Sequence, residues 1–166
     1  WAGACVPMSG VPMFWWWQVI DENDLYGRYA AIQTFMTGID PRNALAKQVK
    51  PALGVSENGD PLLLKRYGAL GTAAPETLRC YVHPVRFARG DAKLPVAAHL
   101  TVTVSGMTPG IFRVEVCETS TGNPVRRFDV RTADGALTVP LPPFSPDCAF
   151  KAHLLTPLAA KPAAAP

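Results

Sequence analysis

The residues best suited to chemistry lie in one early stretch, Met13-Phe14-Trp15-Trp16-Trp17-Gln18-Val19-Ile20-Asp21-Glu22-Asn23-Asp24-Leu25-Tyr26. Asp21, Glu22, Asn23 and Asp24 carry the oxygen ligands that a hard cation such as calcium takes. Their spacing is not that of an EF-hand loop, and Asn23 or Asp24 is accounted for as a helix N-cap, so no metal is expected. Cys5, Cys80, Cys117 and Cys148 show no C-x-x-C spacing, which argues against zinc. Their even number would allow full disulfide pairing in an exported protein. Strand alternation, however, puts Cys148 with Phe150 on an apolar face and Cys117 opposite Val114 and Val116. Pairing those two is not favoured, and buried free thiols are the expected state. His83, His99 and His153 fall on separate elements and read as ordinary strand or loop residues. No catalytic constellation and no cofactor motif emerges.

The tryptophan run sets the first demand on structure. Each indole can bury some 150–250 Å² and carries an N–H that wants a partner. In an extended strand Phe14 and Trp16 would point one way and Met13, Trp15 and Trp17 the other, so the segment reads as a strand buried on both faces. Leu25, Tyr26, Tyr29, Ile32, Phe35 and Met36 then recur at helical spacing, with one broad apolar face; Gly38 and Pro41 mark the stop. Strand, acidic loop and helix make one βα unit over residues 1–43. Such a strand needs parallel neighbours, and none of the later segments supplies one.

From residue 44 the character changes. Expected strands are Val49–Val55, Leu62–Tyr67, Leu78–Val82, Val85–Phe87 and Ala97–Val104, followed by one around Phe112–Val116, then Val125–Arg131, Ala136–Leu141 and Cys148–Leu155. A loop is expected through Gly68–Pro75. Turn signals such as Ser56-Glu57-Asn58-Gly59-Asp60 and Thr119-Ser120-Thr121-Gly122-Asn123-Pro124 separate the strands. The fold class is therefore mainly β: an antiparallel sandwich over residues 44–158, of the Ig-like or jelly-roll kind. Residues 159–166 read as an Ala/Pro-rich tail.

Composition sets limits on partners. The chain has 166 residues, net charge +3 and no dense basic run, so nucleic acid is not expected. Its 17 prolines favour strands and loops over long helices. Trp1–Ile20 lacks charge, but Pro7, Pro12, Gly3 and Gly10 interrupt it, so a membrane span is not favoured. The Arg89-Gly90-Asp91 triplet is read as a turn. A carbohydrate-binding platform on the sandwich would have to draw on Tyr67, Tyr81 and Phe87, which the sequence does not place on one face.

The early block from Met13 through Asp40, with its Phe-Trp-Trp-Trp, acidic loop, Leu25-Tyr26 and Phe35, resembles the end of the catalytic barrel in clan A-type, cellulase-like glycoside hydrolases. Gly110-Ile111-Phe112-Arg113-Val114-Glu115-Val116-Cys117-Glu118-Thr119-Ser120-Thr121-Gly122 is similar to a hairpin that follows the barrel in that group. Leu137-Thr138-Val139-Pro140-Leu141-Pro142-Pro143-Phe144-Ser145-Pro146-Asp147-Cys148-Ala149 is similar to its closing strand. The chain departs from the pattern at Gln18, Phe112, Cys117 and Glu118. The resemblance implies that residues 1–43 are the last βα unit of a (β/α)8 barrel. The acid/base and nucleophile carboxylates of a retaining parent sit about 5 Å apart, at the ends of strands four and seven. They would precede Trp1, leaving this chain inactive alone.

In an intact barrel Trp17, with Asp21, Glu22 and Asn23, would face the substrate cleft, where an indole can stack on the apolar face of a sugar. The implied protein is exported and extracytoplasmic. Its partners would be the rest of the barrel and, as a candidate ligand, polysaccharide. The alternative is a structural subunit docking through its Trp-rich segment into a larger, membrane-associated assembly. That reading predicts self-association of the isolated chain through an unpaired edge.

Overall fold

Two antiparallel sheets share one core, and the alternating strands downstream of residue 44 build both. The computed structural model describes residues 1–6, 17–40, 42–85 and 96–158. In chain order the strands are β1 (Lys47–Val49), β2 (Ala52–Val55), β3 (Tyr67–Ala74), β4 (Thr77–Pro84), β5 (Leu100–Ser105), β6 (Gly110–Cys117), β7 (Pro124–Thr132), β8 (Ala136–Pro140) and β9 (Cys148–Pro157). A six-stranded sheet runs β1-β3-β4-β9-β6-β7, and a three-stranded sheet runs β2-β5-β8. Leu100, Val102, Val104, Leu137 and Val139 of the smaller sheet pack against Leu78, Cys80, Val82, Phe112, Val114, Val116 and Phe150 of the larger. Strict alternation on β5, β6 and β8 sends these residues inward, and their β-branched and aromatic side chains suit a pleated surface.

Three local corrections have physical causes. The single strand expected over Val49–Val55 is two strands in different sheets: β1 pairs with β3 and β2 with β5. Pro51, which has no N–H to give a ladder, sits at the crossing. Leu62–Tyr67 is not a strand. Asp60 Oδ1 accepts from the Leu62 N–H at 2.9 Å, and with Pro61 it opens the short helix α3 (Leu63–Arg66). The expected loop Gly68–Pro75 is instead most of β3, whose small residues fit where backbones approach closely. A Cβ on Gly71 would lie 2.7 Å from the Arg79 carbonyl oxygen.

Upstream, helix α1 (Trp17–Glu22) and helix α2 (Tyr26–Met36) precede the sandwich. The strand expected at Met13–Trp17 lies, apart from Trp17, outside the described residues; Trp17 itself opens α1. The N-cap of α2 is Leu25, without a side-chain cap bond. Asn23 instead donates to the Val19 carbonyl at 2.9 Å, and Asp24 takes a positive φ of 47°. Gly38, at φ +81°, ends the helix region as expected. The buried stripe of α2 is narrower than its spacing suggests: Ala31, Ile32 and Phe35 are buried, whereas Tyr26 is 56% exposed. Among the described residues no helix is long and apolar enough to cross a membrane. Val85 is described, but Phe87, the Arg89-Gly90-Asp91 triplet and the tail at 159–166 lie outside the described residues.

Candidate functional site

The outer face of the six-stranded sheet is where polar and charged side chains gather. Pairing across β3, β4, β9, β6 and β7 lines that face up in three rows. The first runs Leu70, Tyr81, Ala149, Cys117 and Pro124. The second, in register, is Thr72, Arg79, Lys151, Glu115 and Arg127. The third holds Thr77, His153, Arg113 and Asp129. An apolar row, a charged row and an open polar row thus lie side by side.

The upstream segment covers the first row. Cys5 and Phe35 pack with Cys117 and Ala149, and Trp1, Met36, Ile39, Leu70 and Tyr81 close around them. Trp1 meets Phe35 edge-on at 5.2 Å and stacks near Tyr81 at 6.3 Å; its indole N–H donates to the Thr119 carbonyl at 3.0 Å. Asp147 accepts from the Tyr81 hydroxyl and from Thr119 Oγ1, each at 2.5 Å. Burial, and then the hydrogen bond to Asp147, raises the Tyr81 phenol well above its usual range. Gly122, at φ +75°, lets the turn before β7 touch α2: a Cβ there would run into the Ala31 carbonyl.

The second row joins helix to sheet. Lys151 Nζ donates to the Phe35 carbonyl at 3.0 Å and to the Thr37 carbonyl at 2.9 Å, satisfying the C-terminal end of α2 where cations are favoured. Its ammonium also lies 3.6 Å from Glu115, which in turn receives Arg127 Nε at 2.8 Å. Thr72 Oγ1 donates to the Cys5 carbonyl at 2.9 Å. The sequence alternation made Arg113 and Glu115 visible on one face of β6, but only the register puts Arg79 and Lys151 beside them.

Beyond the end of α2 the covering stops and a cleft of about 600 Å³ opens. It lies over the second and third rows. Arg79, Lys151, Glu115, His153 and Thr77 line it from the sheet, and Asp40 and Asn43 from the loop after α2.

The residues singled out in the sequence lie elsewhere. Trp17 opens α1, and Asp21, Glu22 and Asn23 are exposed around its end. Asp21 Oδ1 accepts from the Tyr26 hydroxyl at 3.1 Å. Asp21, Glu22 and Asn23 do not line the cleft. Tyr67 and Tyr81 point to opposite faces of the large sheet: Tyr67 belongs to the inner core and meets Phe144 at 5.4 Å, and Tyr81 lies under Trp1. They form no common platform. His83 and His153 sit on β4 and β9, and His99 in the loop before β5.

All four cysteines are free and buried. Burial pushes the Cys5 thiol up to about 12 and, against the opposing charge of Lys151, the Cys117 thiol up to about 11. Protonated, buried thiols are poor nucleophiles and poor ligands. Among the described residues no three His, Cys, Asp or Glu side chains gather as metal ligands.

Neither a family model nor a curated protein matches the chain.

Proposed function

We propose that the chain is the C-terminal region of an exported glycoside hydrolase-like protein. Residues 1–43 would be the last βα unit of a (β/α)8 barrel, and residues 44–158 an Ig-like or jelly-roll-like sandwich that buttresses it or helps present polysaccharide. The observation that supports this reading is how α2 is held. One side of the helix, through Ala31, Ile32 and Phe35, is buried, with Phe35 on the apolar row of the outer face. Lys151 secures its C-terminal carbonyls, while Tyr26 at the other end stays exposed. A helix held in this way suits an element shared between a sandwich behind it and a further layer in front.

In this reading the sandwich has a mechanical task. It gives the closing helix of a barrel a rigid seat through a small apolar contact and a polar clamp. Among the described residues the cleft holds no free carboxylate pair for acid/base work. The two carboxylates in the cleft are already engaged, Asp40 by Arg42 at 3.0 Å and Glu115 by Arg127 and Lys151. Trp17, Asp21, Glu22 and Asn23 would reach substrate only with the remaining strands in place.

The test is the reading frame upstream of Trp1 in the source genome. It is expected to encode seven βα units, with a glutamate at the ends of the fourth and seventh strands. A frame that encodes no such units would overturn the proposal. A complete barrel without the glutamates would keep the architecture and remove the hydrolysis.

A further inference from the structure

We infer that the cleft beside α2 is a binding site for a small hydroxylated carboxylate of the sugar-acid class, with the Arg79 guanidinium as its anion receptor. Arg79 is a buried charge left uncompensated among the described residues. Arg79 is only 5% exposed, and its Nε is buried without a hydrogen-bond partner among the described residues. Its one bond there is a long one, from Nη2 to the Val6 carbonyl at 3.4 Å. A single contact to a neutral carbonyl is a poor return for taking a guanidinium out of water, because buried charges are ordinarily paired. The same burial shifts the Arg79 pKa downward.

The neighbours leave this charge open to a ligand. Glu115 and Asp40 are the carboxylates on the cleft wall, and both are neutralised by other cations. Lys151 is spent on Glu115 and on the end of α2. Arg79 is thus the cation of the cleft that has no counter-charge among the described residues. A carboxylate matches its planar fork.

The rest of the cleft supplies hydroxyl-seeking groups. The Thr77 hydroxyl, the His153 ring and the Asn43 side-chain N–H groups line it and make no side-chain hydrogen bond among the described residues; Asn43 uses only its Oδ1, for the Leu45 N–H at 3.0 Å. The volume of about 600 Å³ suits a ligand of one or two sugar rings, within the usual range for small-molecule sites. One anion receptor flanked by hydrogen-bonding side chains selects for a ligand with a carboxylate and several hydroxyls. The inference rests on the cleft alone and needs no barrel, so it can fail while the architectural reading holds, and the reverse.

Calorimetric titration of the 166-residue chain with glucuronate, beside glucose and acetate, tests it. Saturable glucuronate binding is expected, with glucose and acetate each at least tenfold weaker. Arg79→Met keeps the apolar stem and removes the charge, and it should weaken glucuronate at least tenfold. Thr77→Val, on the exposed cleft wall, should weaken it severalfold without touching the core, which keeps the test open if the Arg79 variant fails to fold. Absence of saturable glucuronate binding, equal binding by acetate, or unchanged affinity in both variants would each overturn the inference.

Discussion

The two faces of the six-stranded sheet obey different rules. The inner face is apolar across β4, β9 and β6, with Leu78, Cys80, Val82, Phe112, Val114, Val116 and Phe150 sealed against the smaller sheet. The outer face grades across the same strands from an apolar row, through a charged row, to an open one. Burial alone can hold the inner face, because the hydrophobic effect is non-directional and scales with area. The outer face needs specific partners: Trp1 for Thr119, Lys151 for the end of α2, and Thr72 for Cys5. The inner face therefore makes the fold, and the outer one decides what the fold holds.

Substitutions can sharpen that contrast. Phe150→Ala removes a fully buried ring from the inner core and should cost about 3–5 kcal/mol in chemical denaturation. Phe35→Ala, equally buried but on the outer side, should loosen α2 while leaving the strands protected. Hydrogen exchange would show early opening confined to residues 17–40. If both variants unfolded the whole chain together, the two faces would form one cooperative unit and the contrast would fail.

Gly122→Ala attacks the same seat from the sheet side. The residue must hold φ +75° with its Cβ against the Ala31 carbonyl, so a loss of about 2–3 kcal/mol is expected. A melt unchanged from the parent would mean that the turn and α2 are not in fixed contact.

Lys151→Met keeps the stem and removes the clamp. A loss of about 1–2 kcal/mol is expected, because charge-assisted bonds to two helix-end carbonyls go with the ammonium. The increment should show as a shift of the urea midpoint with little change in slope.

The thiols give a pH test that spans the outer face. Cys5 and Cys117 hold their protons more tightly when folded than the ordinary 9.0 of a free thiol. Their stabilising contribution is fully present below pH 9.0. It is lost as pH rises through about 11 for Cys117 and about 12 for Cys5. Stability should therefore decline on the alkaline side, and Cys117→Ala should flatten the first part of that decline. Native protein at neutral pH should react with a thiol reagent far more slowly than denatured protein, which should titrate as four thiols. The smallest effect is expected from Arg113→Ala. Its pair with Asp129 is solvent-exposed on both sides, and its loss should fall within the error of a denaturation curve.

Much of the inner face was legible in the chain. The alternations of Leu100, Val102 and Val104 and of Phe112, Val114 and Val116 announced core-facing strands. The same alternation put Cys148 with Phe150 and Cys117 on the other side, where the structure has them. The helix after Leu25 and its stop near Gly38 were legible from period and glycine. β3 was not, because Gly68, Gly71 and its alanines have weak strand propensity, and Gly71 answers to the Arg79 carbonyl of the neighbouring strand, a contact that no local pattern announces. The break at Pro51 was also hidden, since a proline marks an interruption without saying which sheet the chain enters next.

The amino-acid sequence by itself determined the alternating strands from Leu100 onward, the inward direction of their core side chains and the helix between Leu25 and Gly38, because these follow from periods of two and 3.6 residues and from local backbone limits. Strand register and the seating of α2 were settled only in three dimensions. Thr72, Arg79, Lys151, Glu115 and Arg127 are scattered over the chain, and pairing between distant strands alone draws them into one row beside a helix end.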